Sequence, residues 1–295
     1  MIDLRYHIYS LAAVFFALAI GIVIGTSFAR GTSPSSTERS TIARYENSMH
    51  VLRREIEMAA DDSAQKADMA SKSEEFCRAV LPTIAKDRLA WRNVAIVQTG
   101  DYDDLSGNVK LALELAGARA SSVTDISRTF PFENHQKVST VLISCGFAPP
   151  DNAKEARDML FGLLARTVTS PNHQNLISKM EQAGLGKFTG DYNKSSHMIV
   201  LVGGAESKTT DLGSLVDSQL IAQLEAPGVI IVGCEGRQAS KSYVPEWQKM
   251  GVATIDNVDS AIGQMALICA LNGEKAQFGV KDTADRLIPQ TLEIK

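Results

Sequence analysis

A chain of 295 residues has material for one large domain or two modest ones and needs no disulfide or metal staple to build a core. Its composition, 44% hydrophobic and 22% charged with a net charge of −4 and a pI of about 5.8, lacks the basic balance of nucleic-acid binders, so no nucleic-acid partner is expected. The four cysteines, Cys77, Cys145, Cys234 and Cys269, form no C-x-x-C and no Cys/His pair at zinc spacing, which argues against a structural zinc site.

Residues 8–28 carry no charged side chain. At 1.5 Å rise per residue such a helix is roughly 31 Å long, the thickness of a bilayer core. A transmembrane anchor over residues 1–30 is expected, with Tyr6 and Tyr9 as interfacial aromatics and Arg5 and Arg30 bracketing the span. The competing readings are a buried helix of a soluble protein and a cleaved export signal, the latter because Ser27-Phe28-Ala29 resembles a small-x-small cleavage site, although the apolar run exceeds the usual signal core. Small residues recur every fourth position, at Ala13, Ala17, Gly21, Gly25 and Ala29, and Gly21 to Gly25 makes one G-x-x-x-G face on which two helices can approach closely. Counted literally, Arg30, Arg39 and Arg44 against Arg5 place the large domain in the cytoplasm, by a narrow margin.

A breaker-rich stretch, residues 31–36 with Pro34, comes next. Beyond it, alternate steps of three and four meet Ile42, Tyr45, Met49, Leu52, Ile56 and Ala59, then the weak Ser63, Lys66, Ala70 and Ser73, then Cys77, Val80 and Ile84. With no glycine and only Pro82 near its end, residues 39–84 read as one long helix. So polar a helix needs a partner along its seam, and a parallel coiled-coil homodimer over residues 36–88 is the simplest. A solvated stalk, or a helix folded back on its own domain, is the plainer alternative.

From Asn93 the pattern becomes short apolar runs alternating with amphipathic helices. Strands are expected at 94–97, 140–144, 198–203, 229–233 and 253–256, and helices at 151–166, 212–224 and 259–271. An earlier helix carries Leu105, Val109, Ala112, Leu113 and Ala116 on one face and stops at Gly117. Residues 167–196 read as a connection around a short helix. The expected fold is therefore α/β: a single N-terminal transmembrane helix, a coiled-coil stalk, and a three-layer α/β domain with a mostly parallel sheet over residues 89–295.

Ligands of open α/β sheets sit outside the carboxyl ends of the strands. Those positions hold residues 100–104, Cys145-Gly146, residues 203–206 and residues 233–236. None makes G-x-G-x-x-G or G-x-x-x-x-G-K-[ST], so the glycines read as tight turns. There is no G-x-S-x-G elbow, and His7, His50, His135, His173 and His197 do not group with Ser or Cys, so no enzyme is expected. Asp101, Asp103 and Asp104 lack EF-hand spacing and read as capping the next helix. Cys145 and Cys234 each follow an expected strand and would be neighbours if those strands are adjacent. They would then suit Cu(I), form a disulfide, or be two inert buried thiols. Cys77 and Cys269 read as packing residues, and Met49, Met58 and Met69 are not spaced as a copper motif.

The opening "MIDLRYHIYSLAAVFFALAIGIVIG", the stretch "EEFCRAVLPTIAKDRLAWRNVAIV" and the carboxy-terminal third, with Ser242-Tyr243, Trp247, Gly251, Thr254, Asp256-Asn257-Val258-Asp259 and Gly263-Gln264, are distinctive. Together they resemble envelope proteins of the copper transporter family, typified by the mycobacterial copper-transport protein B group; the resemblance is weakest over residues 129–196. It implies a single-pass anchor, a coiled coil and an α/β domain outside the cytoplasmic membrane, with a role in copper homeostasis or efflux and copper as the ligand concerned. It overrides the literal charge count. A related septal branch of the same family implies instead a non-transporting scaffold that binds cell-wall or division partners. One span cannot line a pore alone, and this one holds no intramembrane charge or soft ligand, so transport would need an oligomer or partners.

Overall fold

The protein is described here by a computed structural model covering residues 4–31, 36–206, 212–225 and 228–292. Two compact units emerge, Met1–Ser71 and Lys72–Lys295.

The first unit holds α1 (Leu4–Gly31) and most of α2 (Ser36–Ala85). Within α1, His7–Phe28 is long and apolar enough to cross a bilayer, and its apolar side chains are exposed. Ala13, Ala17, Gly21 and Gly25 are exposed, and nothing lies within 4 Å of where a Cβ would stand on either glycine. The side chain of Ala29 and the breaker residues 32–35 lie outside the described residues. Along α2, Tyr45, Met49, Leu52 and Ile56 are exposed, which leaves that heptad face open; the side chain of Ile42 is outside the described residues. The polar middle is stitched by an i,i+4 pair, Asp62–Lys66 at 2.7 Å.

In the second unit the last turns of α2 lead into a seven-stranded sheet ordered β3-β2-β1-β4-β5-β6-β7. The strands are β1 (Asn93–Gln98), β2 (Arg119–Ile126), β3 (Gly186–Gly190), β4 (Met198–Val202), β5 (Ile230–Cys234), β6 (Ala253–Ile255) and β7 (Gln277–Phe278). All pairings are parallel except that of β3 with β2. Central strands buried on both faces need no polar alternation. In β1, Val94 and Ile96 face one core while Ala95 and Val97 face the other. β4 divides in the same way, Met198, Val200 and Val202 against Ile199 and Leu201.

One face is covered by the end of α2 with α3 (Asp103–Leu115) and α9 (Ala261–Leu271). The other is covered by α4 (His135–Ser144), α5 (Ala153–Thr169), α6 (Gln174–Gln182), α7 (Ser218–Leu224) and α8 (Val244–Lys249), with a π-helical turn, Gly213–Asp217, opening α7. Trp247 lies flat on this face because Gly203 leaves room for it: a Cβ there would stand 2.6 Å from the indole. Its Nε1 donates to the buried Asp217 Oδ2 at 2.9 Å.

Several expectations are corrected. Residues 140–144 are not a strand but the second half of α4, whose Val138, Val141 and Leu142 follow helical spacing behind the cap that Asn134 places on Lys137 N at 3.1 Å. β2 lies where no strand was expected, because Arg119–Ile126 reads RASSVTDI. Its buried hydroxyls find partners far along the chain: Ser121 Oγ bonds Ser196 Oγ at 2.8 Å, and Thr124 Oγ1 bonds Tyr192 Oη at 2.8 Å. Residues 167–196 contain the expected short helix, α6, and also the edge strand β3.

Candidate functional site at the carboxyl edge of the sheet

β1 and β4 are neighbours, and their following helices cover opposite faces, α3 on one and α7 on the other. Such a topological switch point opens a crevice between the two departing loops. Here the loops are drawn together. Thr99 N and Gly100 N both donate to Val202 O, at 2.9 and 3.1 Å, and Asp101 N donates to Gly204 O at 3.0 Å. A Cβ on Gly100 would sit 2.6 Å from the carbonyl oxygens of Gly203 and Gly204, so glycine is required by backbone contact, as the tight-turn reading expects. These amides, which a phosphate cradle would aim outward, are instead used within the fold.

Asp101 is not the cap of α3. Its Oδ2 accepts from Glu206 N at 3.0 Å and its Oδ1 from Arg128 Nη1 at 3.2 Å, so it ties the two switch-point loops together. The N-cap of α3 is Tyr102, which makes no side-chain cap bond; the side chain of Asp103 lies outside the described residues. Beside them a cleft of about 500 Å³ is lined by Asp101, Tyr102, Asp104, Asn108, Arg237 and Asp259. Arg237 is held to Asp259 twice, backbone N to Oδ1 at 3.0 Å and Nε to Oδ2 at 2.8 Å. Tyr102 Oη donates to Gln238 O at 3.0 Å. Asp101, Arg237 and Asp259, three of the charges around the cleft, are thus engaged within the fold.

Behind it lies a polar cluster that no sequence motif marks. Glu235, fully buried after β5, accepts from Ser242 Oγ and Lys281 Nζ, both at 2.6 Å, and from Tyr243 N at 2.9 Å. Asp256, buried after β6, accepts from Val280 N at 2.8 Å and Lys281 N at 2.9 Å. The carboxy-terminal segment is thereby fastened across the ends of β5 and β6. Gly279, at φ 152°, packs on the Asp256 carboxylate where a Cβ has no room. Only the spacing-blind clue that Glu235 and Asp256 each follow a β-rich run pointed here.

Cys145 and Cys234 do not share an edge. Cys145 caps the end of α4 in the core on one face, whereas Cys234 ends β5 in the core on the other. Both are buried and free, and burial raises both thiols above their ordinary value, strongly so for Cys234. Cys269 is packed in α9 as expected, and Cys77 is half-buried near the end of α2. Among the described residues, no group of three or more His, Cys, Asp or Glu is placed to hold a metal ion. A second, apolar groove of about 220 Å³ runs between the end of α2, α9 and residues 288–292, with Phe76, Val80, Ile84, Ile262, Met265 and Ile288 on its walls.

A family model described as "Copper transport outer membrane protein, MctB" matches residues 1–289. Similar proteins include the copper transporter MctB of Mycobacterium tuberculosis, 26% identical over 300 residues and covering 92% of each chain. The copper transporter MctB of Mycobacterium leprae is 24% identical over 327 residues, covering 98% of this chain and all of that one. The match takes in the apolar helix, the long helix and nearly all of the sheet domain, and this chain belongs to the MctB copper-transport family.

Proposed function

We propose that this chain is a non-enzymatic, single-pass envelope protein that serves copper homeostasis or efflux as a binding module, its large domain held outside the cytoplasmic membrane. The observation that carries the reading is the pairing of one bilayer-length helix, His7–Phe28, with a 50-residue helix whose heptad residues Tyr45, Met49, Leu52 and Ile56 are all exposed. A single span encloses no pore, so the copper role falls to what the stalk and domain bind. An exposed apolar heptad seam on a long polar helix is stabilised by a second helix, and a parallel homodimer about α2 supplies one. The burial of Cys145 and Cys234 in cores on opposite faces of the sheet supports a copper role exerted through partners rather than through a shared pair of thiols.

The same exposed seam favours a second reading, an envelope scaffold whose α2 and α/β domain engage cell-wall or division proteins. Two experiments test the shared part. Oxidation of a Leu52→Cys variant of the full chain in membranes should link residue 52 to residue 52 of the second copy, since Leu52 lies on the exposed heptad face, whereas a cysteine at exposed Met58, off that face, should not link. Absence of the residue-52 link would contradict the parallel dimer. A carboxy-terminal alkaline-phosphatase fusion should be active; an inactive one would place the domain in the cytoplasm.

A further inference from the structure

The loop joining α2 to β1, residues 86–92, keeps one large ring in water. Trp91 is 96% exposed, whereas the other tryptophan, Trp247, is fully buried. The backbone enforces this. Trp91 has φ 65° and Asp87 φ 58°, left-handed values that non-glycine residues adopt only when their surroundings hold them there. The holding bonds run from Leu89 N to Ala116 O at 2.9 Å, Trp91 N to Gly117 O at 3.3 Å and Arg92 N to Leu89 O at 3.1 Å.

The ring has basic neighbours. Lys86 and Arg92 are exposed on the same loop, and exposed Arg119 donates its N–H to Arg92 O at 2.8 Å. Arg88 is half-buried, with Nε on Ile84 O at 2.8 Å. The acidic groups nearby are Asp87, exposed on the same loop, and Asp191, which Arg119 feels and which is paired with Lys194 at 3.3 Å, so exposed cations outnumber them. The loop also lies at a defined edge. Glu74 Oε1 accepts from Ala261 N, at the start of α9, while Ala85 and Leu89 pack with Ala116 at the end of α3. The last turns of α2 therefore run from the carboxyl edge of the sheet to its amino edge, where Trp91 sits.

We propose that this loop docks on an anionic lipid surface. Trp91 would seat at headgroup depth, with Lys86, Arg92 and Arg119 against the phosphates. An amphipathic ring among cations is the signature of interfacial binding, and charge complementarity supplies the anionic preference. A protein hot spot would instead be ringed by packed, water-excluding contacts; the side chains around this ring are hydrated charges. The proposal rests on the membrane-anchored reading above.

The test uses the full chain incorporated in phosphatidylcholine nanodiscs and mixed with vesicles of phosphatidylcholine, alone or with phosphatidylglycerol. Incorporation reports on the anchor, and flotation with the vesicles reports on the loop. The expected result is flotation with the phosphatidylglycerol vesicles alone, weakened roughly tenfold in Trp91→Ser and again in Arg92→Ser with Arg119→Ser. The buried emission of Trp247 verifies that each variant is folded. Equal flotation of the native chain and Trp91→Ser, binding to neutral vesicles as strong as to anionic ones, or no flotation from well-incorporated discs would each overturn the proposal; the last would leave the ring to a protein partner.

Discussion

Lys281→Met probes the fastening of the carboxy-terminal segment. Glu235 is fully buried and Lys281 is its cation at 2.6 Å, with the lysine side chain 22% exposed. Removing one member of a buried pair strands the other charge, at a cost of about 3–5 kcal/mol when nothing else compensates. Glu235 would keep its bonds from Ser242 Oγ and Tyr243 N, and the partial exposure of Lys281 admits some solvent, so about 2–3 kcal/mol is expected. For a unit of this size that lowers Tm by roughly 5–10 °C. Urea and thermal unfolding of the full chain in detergent measure it. Replacing both partners, Glu235→Leu with Lys281→Met, should recover most of the loss, because an apolar pair leaves no stranded charge. A single variant within about 0.5 kcal/mol of the native chain would refute the claim that the ion pair clamps the sheet edge.

Tyr192, whose hydroxyl bonds Thr124 Oγ1 and donates to Val123 O, has its phenol pushed up to about 12 from 10.0, chiefly by burial. Its contribution is fully present below pH 10 and is lost as pH rises toward 12, because the unfolded tyrosine ionises first. Tyr192→Phe should therefore flatten the fall in stability over that window by up to about 1.4 kcal/mol per pH unit, measured by urea unfolding; an unchanged slope would deny the buried hydroxyl its role. With a thiol reagent under native conditions, Cys77 should react first and Cys145, Cys234 and Cys269 only on unfolding. Prompt labelling of Cys234 would show that the β5 end is open.

The parts legible in the sequence were those that carry an unbroken pattern of their own. The apolar run of α1, the glycine-free stretch of α2 and the all-apolar MIVLV of β4 each carry their own pattern. β2 does not, because its buried faces are built from Ser121, Ser122 and Thr124, which become tolerable inside only once Ser196 and Tyr192 arrive as partners. The misplaced strand at 140–144 shows the converse: a short β-branched run fits either period, and the cap at Asn134 decides for helix. That error also carried the Cys145–Cys234 expectation, since only a strand there would have brought both cysteines to one edge. In the candidate site, the glycine turns were readable, whereas the Asp101 clamp spans 105 residues to Glu206 and the Glu235–Lys281 pair spans 46, distances over which a lone sequence has no register.

The central claim is that the chain serves copper handling through what its stalk and domain bind. Its most direct test is copper tolerance of cells lacking the native copy and complemented with variants of matched membrane abundance. Leu52→Asp with Ile56→Asp, on the open face of α2, should abolish the rescue, while Cys145→Ala with Cys234→Ala should retain it. Rescue that survives the stalk charges but is lost with the two cysteines would contradict the account.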